Sequence, residues 1–146
     1  MIKTFRGILA DGGQNRIRLS TKKGKIGYKI IKFQTITNDP TAEAAESVVK
    51  IFKVSQVTPD DKIDFSDGNL LAVSMFTVST SHSDPEDMIV IFDQEVFNQD
   101  IFITHSNSSG SDPANYYLEL ETINMTDNQA AVSTLRDIRL NPQVGG

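Results

Sequence analysis

The 146 residues contain no cysteine and no tryptophan. Without cysteine there can be no disulfide, no thiolate metal site and no thiol nucleophile. Without tryptophan the chain lacks a favoured platform for stacking sugars, and it lacks the Trp and Cys hallmarks of an immunoglobulin domain. Long apolar runs are also missing. The longest, residues 88–92, has strand length, far short of the roughly 20 residues a membrane helix needs. Lys3 and Arg6 interrupt any apolar stretch near the start, so no secretory signal is expected there.

Charge is present but unevenly spread. Lysine and arginine number 14 against 19 aspartates and glutamates, a net charge of −5. That balance argues against nucleic acid as the main partner. Residues 1–62 hold 12 basic and 6 acidic side chains, and residues 63–146 hold 2 and 13. Two readings stand: the two halves of one domain differ in surface charge, or the subunit is dipolar and its copies attract one another across an interface.

The length suits one domain with its own core, and no linker or repeat divides it. Turn signals punctuate the chain: Asp11-Gly12-Gly13, Lys23-Gly24, Asn38-Asp39-Pro40, Pro59-Asp60-Asp61, Ser66-Asp67-Gly68-Asn69, residues 81–85 and the Ser/Gly-rich residues 106–113. Between them lie segments rich in β-branched and aromatic residues, which predict strands near 2–10, 15–20, 25–37, 47–57, 69–79, 87–93, 100–106 and 115–125. Several alternate: Tyr116, Leu118 and Leu120 oppose Tyr117, Glu119 and Glu121, and Ile26, Tyr28 and Ile30 oppose Lys25, Gly27 and Lys29. Ile30-Ile31 breaks the alternation and predicts a bulge or two-sided burial. Thr126-x-x-Gln129 forms a capping-box pattern, and Ala131, Leu135 and Ile138 recur at helical spacing, so a short helix is expected over about 127–138, with a ninth strand as the alternative. Eight strands in one 146-residue domain predict an all-β antiparallel sandwich, jelly-roll-like, with a short C-terminal helix. An immunoglobulin-like sandwich is the second choice.

No constellation reads as a catalytic centre. His82 and His105 are expected as solvated loop histidines, and no Gly-x-Ser-x-Gly elbow accompanies them. Asp60, Asp61, Asp64 and Asp67 with Asn69 miss the spacing of a calcium loop and read as solvated turn residues. Glu119 and Glu121 share one strand face, as the wet side of a strand requires. Gly12-Gly13 with the nearby basic residues lacks the Gly-Lys-Ser/Thr of a phosphate loop. No metal or cofactor is expected, and the chain is read as a non-enzyme.

Four strings, MIKTFRGILADGGQNRIRLST (residues 1–21), GKIGY (24–28), FNQDIFITH (97–105) and NYYLELE (115–121), resemble small virion structural proteins of marine tailed bacteriophages, over most of the chain. The resemblance implies a non-enzymatic particle component, a capsid decoration, cement or minor capsid subunit assembled in the host cytoplasm, and it transfers no site residues. Its partners would be copies of itself and a major capsid or other virion protein, with no membrane involved. Arg16, Arg18, Lys22, Lys23, Lys25 and Lys29 are the candidate docking residues. The acidic half would then face outward or meet the next copy. The alternative is a carbohydrate- or receptor-binding sandwich using Tyr116 and Tyr117 beside the 106–113 loop.

Overall fold

The computed structural model describes residues 1–40, 44–79, 87–92, 95–108 and 110–139. His82, the 81–85 turn and Asn141-Pro142 lie outside them. Among the described residues, eight strands run in chain order: β1 (Ile2–Leu9), β2 (Gln14–Ile17), β3 (Ile26–Thr37), β4 (Ala44–Phe52), β5 (Leu70–Ser79), β6 (Asp87–Ile91), β7 (Ile101–Asn107) and β8 (Ala114–Asn124). One helix, α1 (Asp127–Arg139), follows. The strands form two antiparallel sheets, ordered β1-β8-β3 and β2-β7-β4-β5-β6. The predicted sandwich with its C-terminal helix is therefore what the chain forms. Each predicted strand matches an observed one, and the largest shift is in β4, which begins and ends earlier than its residues suggest.

The pairing follows a long hairpin rolled up on itself. β1 pairs with β8, β2 with β7 and β4 with β5. This is jelly-roll pairing, with one departure. β6 does not pair with β3 but adds to β5 at the edge of the larger sheet. Two openings result: the outer edge of β6 and the upper part of the β3 edge. Lower down, the β3 edge is closed by a bridge between Tyr28 and Phe97, each amide donating to the other carbonyl at 2.7 and 2.9 Å.

The core lies between the sheets, as the alternation of each strand requires. Ile30, Phe33, Leu118 and Leu120 of the smaller sheet meet Val49, Ile51, Ala72, Ile101 and Ile103 of the larger. The register of β3 on β8 shifts between Ile30 and Lys32. The bulge expected at Ile30-Ile31 is thus present. It turns Ile31 outward and lets Phe33 resume the inward positions.

The capping box also forms. Thr126 N–H donates to Gln129 Oε1 at 3.0 Å, and Gln129 N–H donates to Thr126 Oγ1 at 3.2 Å. The helix docks through Ala130 and Ser133, both buried. Asn98, fully buried between β3 and the helix, donates from one amide nitrogen to Gly24 O and Thr134 Oγ1 at 3.0 and 2.8 Å.

Pairing of early strands with late ones settles the charge question. β1 and β3 flank β8, and β2 and β4 flank β7. Basic and acidic halves of the sequence therefore interleave in space and do not form two opposed surfaces. Arg16 pairs with Asp100, Lys29 with Glu121 and Lys53 with Glu95, each joining one half to the other. Of the two readings of the charge split, the dipolar subunit is set aside on this ground. The folding pattern itself mixes the two halves.

Candidate interaction surfaces

The ionisable groups buried in the fold are engaged by structural partners. His105 was expected at a solvated loop but sits on the inner side of β7 with no exposed surface. Its Nδ1 lies 3.0 Å from Leu9 O, and its Nε2 lies 3.0 Å from Ser47 Oγ. One ring thereby ties β1 to β7 and β7 to β4. Its neighbours along the strand, Thr104 and Ser106, gave no hint of this, because the partners are about 58 and 96 residues away.

Asp100 is a second such knot, and the sequence offered no signal for it. Its Oδ1 accepts from the amides of Leu19 and Ser20 at 2.7 and 2.9 Å, and its Oδ2 accepts from Arg16 Nε at 2.7 Å. Burial works to raise the carboxyl's pKa. The two amides and the guanidinium outweigh it and hold the pKa down at about 2. Lys50 is buried on the outer face of the larger sheet because the 53–69 segment folds over it. Its ammonium donates to Asp60 Oδ1 at 2.7 Å and to Lys62 O at 2.6 Å. The same segment is held by Gln14, which exchanges hydrogen bonds with Gln56, and by Phe65 edge-on to Phe92.

The acidic turn is consumed locally. Asp60 accepts from Lys50 and from Lys62 N–H, and the Lys50 hydrogen bond lowers its pKa despite some desolvation. Asp64 accepts from the hydroxyl and amide of Ser66, which lower its pKa, and Asp67 accepts from Asn69 N–H. Among the described residues, no three His, Asp or Glu side chains gather as a metal-ligand group.

The six candidate docking residues cluster where the chain crosses from the larger sheet to the smaller. Arg18, Lys22, Lys23 and Lys25 are exposed there. Arg16 pairs with Asp100, and Lys29 with Glu121 at 3.5 Å. Lys22 and Lys23 border a hollow of about 480 Å³ whose other wall is α1, with Ala131 and Leu135.

Tyr116 and Tyr117 do not form a joint platform. Successive strand residues point to opposite faces. Tyr116 points inward and is buried, and its hydroxyl accepts from Asn15 Nδ2 at 3.3 Å. This corrects the expectation of an exposed pair. Tyr117 lies on the outer face and donates to Glu119 Oε1 at 2.7 Å, a hydrogen bond that raises its phenol pKa. The Lys32 ammonium sits 5.9 Å from its ring centroid.

An apolar groove was not foreseen. A groove of about 760 Å³ runs between the upper β3 edge and β6, and continues over the outer face of the smaller sheet. Ile8, Ile36, Ile89 and Tyr117 give it apolar walls, and Arg6, Gln34 and Asn115 supply polar atoms at its rim. Its position follows from the displaced β6, a matter of topology that strand patterns do not encode.

No protein-family model and no curated protein matches this chain.

Proposed function

We propose that this chain is a non-enzymatic structural subunit of a phage virion, a capsid decoration, cement or minor capsid component that works through protein–protein contacts. The observation that carries the reading is a division of labour. Interior ionisable groups such as His105, Asp100 and Lys50 are occupied in holding strands together. The surface, by contrast, keeps large apolar side chains in the open: Ile8, Ile36, Met88, Ile89, Val132 and Leu135 are all exposed. Apolar surface beside open sheet edges suits contact between proteins. The sequence resemblance supports the same conclusion.

The partners on this reading are further copies and a major shell protein, with the exposed basic crossing at Arg18, Lys22, Lys23 and Lys25 meeting acidic shell surface. The test is uptake by tailed-phage shells lacking this component, followed by light scattering. Saturable uptake is expected, and joint reversal of Lys22, Lys23 and Lys25 to glutamate should abolish it. Shells that ignore the wild-type chain would overturn the reading.

The groove favours a second reading, a carbohydrate- or receptor-binding module, because an apolar trough rimmed by Arg6, Gln34 and Asn115 suits a small ligand. A glycan array separates the two. Binding lost on Tyr117→Ala would favour this reading, and an empty array would count against it.

A further inference from the structure

The outer edge of β6 has a definite hydrogen-bonding pattern. Phe92 N–H donates to Leu71 O at 3.0 Å, one step beyond the Ala72–Ile91 pair. Bonded and non-bonded pairs alternate along an antiparallel ladder. The backbone groups of Met88 and Val90 therefore face β5, and those of Asp87, Ile89 and Ile91 face away from the sheet. No backbone hydrogen bond among the described residues reaches that outer edge. Met88, Ile89 and Val90 are 64, 44 and 36% exposed. Open edges in natural proteins are often blunted by charged side chains, above all lysine, by proline or by a bulge; residues 88–91 carry no charge and no proline, and the β5–β6 register holds no bulge.

We propose that β6 is a dimerisation strand, pairing antiparallel with β6 of a second copy about a two-fold axis at Ile89. The occupant follows from the symmetry of the edge. The three outward residues are spaced evenly about Ile89. An axis there sets Ile89 against the partner's Ile89, and Asp87 against the partner's Ile91. All three outward residues of each copy then bond, giving six backbone hydrogen bonds within the strand. An axis at Met88 or Val90 allows four. An axis at Asp87 or Ile91 allows two. In the favoured register Met88 lies opposite the partner's Val90, so apolar side chains meet on the outer face as well.

Area points the same way. A stable interface buries about 800 Å² on each partner, more than a five-residue strand supplies. Ile36 and Ile8, exposed in the groove beside Ile89, lie next to the seam and extend the apolar surface. The pairing does not rest on the virion reading. A dimer that no shell takes up would sustain the pairing and sink that reading.

The absence of cysteine makes the register directly testable. Residues opposed in a bonded antiparallel pair have Cα atoms about 5.5 Å apart, inside the range a disulfide spans. Oxidised Ile89→Cys should run as a covalent dimer on a non-reducing gel, and Ile63→Cys, exposed in the 53–69 segment, should stay monomeric. By sedimentation equilibrium the wild type should be a dimer. Ile89→Pro removes only an outward amide, a place where an edge strand tolerates proline, and should give a monomer with an unchanged circular dichroism spectrum. Ile89→Lys, which keeps every amide, should also be monomeric and serves if proline unfolds the strand. A monomeric wild type, an Ile89→Lys dimer, or cross-linking at residue 89 no faster than at residue 63 would overturn the proposal.

Discussion

The two long sides of the sandwich both end in edge strands, β1 and β2 on one and β3 and β6 on the other, but differ in the buried polar side chains that tie them together. On the β2–β7 side, short chain crossings are clamped by buried polar side chains: Asp100 holds the 16–20 segment and His105 holds Leu9, Ala10 and Ser47. On the β3–β6 side, the upper β3 edge and the outer β6 edge lie open around an apolar groove. A buried carboxylate is costly unless its lone pairs are met, so the clamped side is committed to one geometry. The open side carries no comparable commitment. The contrast teaches where substitution should cost stability and where it should cost only association.

The largest effect is expected at Asp100. Asp100→Ala leaves the buried amide of Leu19 and the more exposed amide of Ser20 without their acceptor, and should destabilise the fold by about 2–4 kcal/mol in urea denaturation. The carboxylate also makes a pH prediction with a definite sign. Its folded pKa of about 2 lies below the ordinary value of 3.8. The unfolded state therefore binds the proton first as the solution is acidified. The stabilisation, about 2 kcal/mol, is fully present above pH 4 and is lost as pH falls from there through about 2. An Asp100→Asn variant should show a shallower acid decline across that window. Equal slopes for variant and wild type would mean that the carboxylate contributes no charge-dependent stability.

A smaller loss is expected at Gly7, on the inner side of β1. A Cβ there would lie 2.7 Å from the Tyr116 hydroxyl and 2.9 Å from Cζ of the same ring. The ring is buried and bonded to Asn15, so it has little room to move. Gly7→Ala should cost about 1–3 kcal/mol by overpacking. Tyr116→Phe removes the nearest atom, so the double variant should lose less than the sum of the singles. Strict additivity would place the strain elsewhere. Because Tyr116 also lines the groove, this cycle reports how rigidly the core supports the open side.

Which of these features could be read from the sequence depends on the distance to the partner. The strands, the Ile30-Ile31 bulge and the Thr126–Gln129 box were legible because each is fixed by residues within a few positions of one another. The inward turn of Tyr116 was already implicit in the alternation with Leu118 and Leu120. Assigning it to a ligand platform set that period aside, and the period prevailed. His105, Lys50 and Asp100 were opaque for a different reason. A buried role is conferred by a carbonyl, an amide or a covering loop that topology brings from elsewhere. The charge split was legible as a count and misleading as a geometry, since strand order cannot be recovered from composition.

The smallest effect tests whether local legibility also means local energetics. Thr126 and Gln129 exchange two exposed hydrogen bonds at the start of α1. Capping side chains are worth about 1 kcal/mol. Thr126→Ala should therefore loosen the first helical turn without reaching the core, because the docking of α1 rests on Asn98, Ala130 and Ser133 further along. Hydrogen exchange at the Ala130 amide, which donates to Thr126 O at 2.9 Å, is the direct reading. Its protection should fall about five-fold, the equivalent of that 1 kcal/mol, with the urea midpoint almost unchanged. A global loss instead would mean that the helix and the sandwich unfold as one cooperative unit, and that Asn98 transmits the cap's contribution to the Gly24 turn before β3.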